Sequence, residues 1–194
     1  MTAGAPRDEP GFELRHLPGP AALLPAREAT GAADEADADF LMAVFAAARQ
    51  WESQTGRLTP SKVLRECLWF VWQAPRLPQP LVRSKYPRSA PWTAAARAAY
   101  AADPRGRGDL VMEHIEPVSG LVRTLLAAPT ERAAFIRTLS DALRFCVVTR
   151  GEDRMLAAAK VAKHTPVSED PWVRYRLAGI DVSQIRPLGD PVAN

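Results

Sequence analysis

From Asp34 to Leu188 the apolar positions of this chain alternate between a helical period and short unbroken runs, and that alternation sets the expected elements. Leu41, Val44, Phe45, Ala48 and Trp51 recur at helical spacing behind Asp34, Glu35, Asp37 and Asp39. Negative charge is favourable at that end of the helix dipole, so a helix to about Gln54 is expected. After the break at Thr55-Gly56-Arg57, Thr59 and Pro60 read as N-cap and first-turn proline of a second helix with Val63, Leu64, Cys67, Leu68 and Val71. Its continuation, CLWFVWQ, is apolar on nearly every side and is expected to be buried.

Residues 74–91 hold five prolines and four basic residues. Prolines this dense withhold backbone donors, which predicts an irregular extended strap. Tyr86 and Trp92 flank its basic residues, either pinning the strap to the domain or forming the aromatic and basic interleaving that single-strand binders use. PWTAAARAAYAA predicts a short helix ended by the turn DPRGRG. A strand through Leu110–Met112 or on to Ile115 follows, then a helix with Leu121, Val122, Leu125 and Leu126, and a Thr130-capped helix with Phe135, Ile136, Leu139 and Leu143. FCVVT, residues 145–149, is the clearest β run. Thr149 and Glu152 form a capping-box pair for a helix through Met155, Leu156 and Ala159. Asp170 is expected to cap PWVRYRLAG, with Gly179 ending it. The fold class is therefore α+β and mainly helical: a helical N-terminal part packed on a small strand and helix unit with two short strands. Residues 1–32, with five prolines and no apolar period, read as a flexible arm, and 33–194 as one helix-rich domain.

Charge sharpens this picture. The formal net charge is +3, but residues 1–53 carry 4 Lys/Arg against 9 Asp/Glu, and the remainder 21 against 13. A basic body attracts polyanions, which makes nucleic acid a candidate partner. The acidic first helix and the proline-rich strap are alternative docking elements for a protein partner. Cys67 and Cys146 sit in apolar runs without a second ligand at metal spacing and read as buried reduced thiols. No stretch approaches the ~18 apolar residues of a membrane helix, and a cytoplasmic location is the expectation. Phosphate-loop, dinucleotide, nucleophile-elbow and zinc-helix motifs are absent from the sequence.

The chemistry gathers in the order strand, EHIEP, two helices, strand FCVVT, helix GEDRMLAAA. VMEHIEPVS resembles the first motif of the HNH, or ββα-metal, endonucleases, and VVTRGEDRML is similar to the closing strand-turn-helix of some members. The resemblance covers residues 109–160. It implies a phosphodiester hydrolase in which His114 is the general base, Glu113 is a ligand of a divalent metal (Mg or Mn), and Asp153 stands where those members place a metal-binding histidine. The family's central asparagine has no counterpart, since the chain's only asparagine is Asn194. Phosphate contacts are expected from Arg83, Lys85, Arg88, Arg105, Arg107, Arg150 and Arg154. Other readings stay open: a nuclease-like fold retained for binding, or a protein-interaction module in which EHIEP is a turn, its histidine is structural, and Glu152 and Asp153 serve the helix dipole. His164 is either an exposed loop residue or a further nitrogen ligand.

Overall fold

The computed structural model describes residues 31–106, 108–127, 131–162 and 170–188. The expected arm falls almost wholly outside these residues, as do Arg107, Thr130 and His164. The fold is α+β and mainly helical.

Helix α1 (Ala32–Thr55) buries Ala38, Leu41, Phe45 and Ala48 along one stripe and ends where Gly56 takes a left-handed φ of 66°. The stripe packs with Leu64, Leu68, Trp72, Leu121, Val122, Leu125, Phe135 and Leu139 into one apolar cluster. That cluster joins α1, α2 (Ser61–Cys67), α4 (Val118–Ala127) and α5 (Arg132–Ala142). Helix α2 starts one residue later than expected: Pro60 is the N-cap itself, and the Thr59 hydroxyl turns back to the Ala48 carbonyl. Beyond Cys67 the backbone widens into a π-helical turn, Leu68–Gln73. The wider turn aims Trp72 and Gln73 inward and leaves Phe70 outside at 66% exposure, so the all-round burial expected for CLWFVWQ is not met. The acids of α1 are engaged within the fold. Arg76 lies 4.0 Å above the Trp72 ring and binds Asp34 and Asp37, while Arg132 pairs with Glu35 and Asp39.

The proline-rich strap is not irregular throughout. Strands β1 (Leu81–Val82) and β2 (Tyr86–Pro87) pair antiparallel around a turn in which Arg83 and Ser84 both have positive φ, 50° and 61°. Non-glycine residues adopt that region at a cost of roughly 1–2 kcal/mol each. The Arg83 guanidinium donates to the Asp103 and Pro104 carbonyls, which holds the turn down. Tyr86 and Trp92 are buried, so both rings anchor the strap and neither is a platform for a ligand. Trp92 packs edge-on to Tyr86 and Tyr100, and its indole N–H donates to the Pro87 carbonyl.

Thr93 caps α3 (Ala94–Ala102), as its sequence predicts. Strand β3 (Leu110–His114) then pairs antiparallel with β4 (Phe145–Thr149), with α4 and α5 inserted between them. Helix α6 (Arg150–Ala158) leaves β4 directly through the expected capping box of Thr149 and Glu152. Glu131 is the N-cap of α5, without a side-chain bond. The far edge of β4 bonds to residues 91–93, and Trp92 in turn bonds to Arg186. One face of the ladder (Cys146, Val148) packs on Leu156, Trp172 and Tyr175; the other (Leu110, Phe145, Val147) packs on the strap. Short helix α7 (Val173–Leu177) starts after Trp172, whose N–H bonds the Asp170 carboxylate, and stops before Gly179, at φ 77°.

Because Trp92 joins the strap, α3 and β4, Trp92→Ala is expected to cost about 3–5 kcal/mol, the range for a large aromatic removed from a core. Urea unfolding followed by circular dichroism measures it; a loss below about 1 kcal/mol would contradict this placement.

Candidate functional site

A cleft of about 800 Å³ opens beside β3. Its floor is Val111, Met112, Glu113 and His114; the facing wall is Lys62, Arg65, Glu66 and Trp69 of α2 and the π-helical turn. Asp153 also lines it. The strand-helix-strand order thus brings His114, Glu113 and Asp153 to one cavity, although Glu113 and His114 leave opposite faces of the strand by its two-residue alternation.

His114 is held by a group the sequence reading missed. Its Nε2 lies 2.8 Å from Gln73 Oε1, and the Gln73 amide nitrogen donates to the Leu143 carbonyl at 3.0 Å. Since that nitrogen is committed, the glutamine oxygen faces the ring and Nε2 must donate the proton. Burial, then the positive charges of Arg174 and Arg65, lower the imidazole pKa from 6.5 to about 4. The ring is neutral at pH 7 and a weak proton acceptor.

Glu113 faces Arg174, whose side chain is fully buried. The guanidinium donates at 2.6 Å to Val161 O, at 2.8 and 2.9 Å to His114 O and Ile115 O, at 3.0 Å to Glu113 Oε1 and at 3.1 Å to Ala162 O. Its five N–H groups are all used. Burial raises the Glu113 pKa, Arg174 opposes that rise, and Asp153 adds to it. Glu152 is also taken up locally, accepting from the Thr93 hydroxyl and the Thr149 N–H. Among the described residues no three His, Cys, Asp or Glu side chains gather at metal-binding separation. With a guanidinium already on Glu113, this donor set does not fit the Mg or Mn ion that the resemblance implies. Cys146 is buried, and burial together with Glu152 pushes its thiol pKa well up, whereas Cys67 is only partly buried.

The predicted phosphate contacts divide. Arg83, Lys85 and Arg105 line a second groove of about 550 Å³ with Tyr86, Gly106 and Gly108. A Cβ at Gly106 would fall 2.1 Å from the Asp103 carboxylate, so a side chain there would push that exposed carboxylate aside. Arg150 borders the groove by donating to the Gly108 carbonyl. Arg88 and Arg154 are exposed but line neither cavity, and Arg107 lies outside the described residues. Lys85 belongs to both cavities. Lys62 and Arg65 of α2, which line the larger cleft with it, carried no sequence signal beyond being polar positions on an amphipathic helix. Arg174 did carry one: a basic residue between Trp172, Val173 and Tyr175 on a short helix.

The chain matches no protein-family model, no curated protein and no solved structure. Among the described residues no helix is long and apolar enough to cross a membrane.

The histidine makes a pH prediction. An imidazole that titrates near 6.5 unfolded and near 4 folded takes up a proton on unfolding between those values. Its stabilising contribution is therefore complete above about pH 6.5 and is lost as pH falls towards 4, by roughly 3 kcal/mol at most. The raised Glu113 carboxyl acts in the opposite sense, favouring the folded state as pH falls. Urea stability measured from pH 7 to pH 4 is expected to drop more steeply in the wild type than in His114→Gln; parallel curves would contradict the depressed pKa.

Proposed function

We propose that this protein binds nucleic acid through the basic groove of Arg83, Lys85 and Arg105, on an HNH-like ββα unit that serves binding rather than hydrolysis. The observation that carries the reading is that Lys85 lines both cavities, one with Lys62 and Arg65 and the other with Arg83 and Arg105. None of Lys62, Arg65, Lys85 and Arg105 is in an ion pair among the described residues. Cations without carboxylate partners keep their field available to a phosphate backbone. The ββα reading is supported by the order β3, β4, α6 and by the shared cavity of Glu113, His114 and Asp153. The non-hydrolytic part rests on Arg174 at Glu113 and on the weakly basic, hydrogen-bonded His114.

Fluorescence anisotropy with labelled single- and double-stranded DNA and RNA tests it. Affinity is expected to fall with salt, and Arg83→Glu with Arg105→Glu to weaken binding at least tenfold and to flatten the log–log salt slope by about 2, near one unit per lost phosphate contact. No strand should be cut in magnesium or manganese. Absence of binding at low salt would overturn the nucleic-acid reading; metal-dependent cutting lost in His114→Ala would replace binding with catalysis.

A further inference from the structure

The larger cleft has a feature that phosphate binding does not use. In the β3–β4 ladder, Ile115 N–H bonds Arg144 O and Arg150 N–H bonds Asp109 O. In an antiparallel pair such bonded positions alternate, so Val111 and Glu113 complete the inner set while Leu110, Met112 and His114 turn their backbone groups outward. The outward carbonyls at the two ends are engaged: Leu110 O accepts from the Tyr86 hydroxyl and His114 O from Arg174. Between them, the Met112 N–H and C=O and the His114 N–H have no hydrogen bond among the described residues. Four consecutive residues of the strand, Val111 to His114, line the cleft, so this edge borders it.

Exposed strand edges are ordinarily blunted by lysine, proline, a bulge or a cover, because they template pairing with another chain. Leu110–His114 contains no lysine or proline, and its register with β4 has no bulge. A groove between a strand edge and a helix is a geometry in which an extended peptide adds a strand, its main chain supplying affinity and the walls specificity. The walls here are charged. Arg65 and Lys85 line the cleft together with His114, and Lys85 adjoins Tyr86, whose hydroxyl bonds the Leu110 carbonyl. Lys62, Arg65 and Lys85 outnumber Glu66 and Asp153, the two lining carboxylates not held by Arg174.

We infer that the outer edge of β3 receives an extended acidic peptide of another protein as a short added strand, with Met112 making two main-chain bonds and His114 one, and with acidic side chains meeting Arg65 and Lys85. This goes beyond the nucleic-acid reading and does not rest on it.

The test is selection of random displayed heptapeptides on the full chain, followed by anisotropy of an enriched peptide. Enriched sequences are expected to be rich in aspartate and glutamate. Binding should weaken at least tenfold when the peptide is N-methylated at the residue opposite Met112, and similarly in Arg65→Glu. In Met112→Pro the lost N–H is an outward one, so the ladder to β4 is kept and peptide binding alone should disappear. N-methylation leaves the protein untouched and decides the matter even if that variant does not fold. Peptides without acids, or binding indifferent to N-methylation, would overturn the inference. So would failure to enrich any peptide while Arg65→Glu weakens oligonucleotide binding, which would assign the cleft to nucleic acid.

Discussion

The Arg174 guanidinium is the point on which the site and much of the C-terminal half depend. It ties α7 to the end of β3 through two consecutive carbonyls, to the segment that follows α6 through Val161 and Ala162, and to Glu113 through its carboxylate. A buried cation is tolerated only when its donors are matched, and here every one is. The same contacts fix what the cleft can do. Glu113 has its positive partner within the protein, and His114, on the next residue, feels the same charge as a further push towards the neutral form.

A second constraint is the insertion of α4 and α5 between the strands. It lets the ladder lean on the N-terminal helical cluster, because Gln73 at the end of the π-helical turn bonds both Leu143 and His114. The N-terminal helical cluster is thereby tied to the end of β3 through one polar side chain at the cleft wall. The cost of burying that amide is offset by satisfying both its donor and its acceptor ends.

Helices and strands with strong local signals were legible in the sequence: the α1 stripe, the Thr149 and Glu152 box, the β-branched FCVVT run and the order that brings β3, β4 and α6 together. These depend on neighbours in sequence, where periodicity and capping act. What was not legible depends on partners far along the chain. Arg174 meets Glu113 across 61 positions and His114 meets Gln73 across 41, and no local pattern encodes either. The strap misled for a related reason. Its prolines argue against long strands, but two residues on each side of a turn suffice for β1 and β2 once Arg83 is anchored from Asp103 and Pro104. Histidine 114 was legible as a residue of interest, while its protonation was not, since burial and Arg174 set it.

The central claim is that Arg174 supplies the positive charge that Glu113 pairs with, which leaves this donor set a poor fit for a divalent ion. Scanning calorimetry of the full chain in millimolar manganese and in excess chelator tests it most directly, because a ligand that binds only the folded state raises the melting temperature. The account predicts the same Tm in both conditions. A rise of several degrees with manganese, abolished in Glu113→Gln, would contradict it.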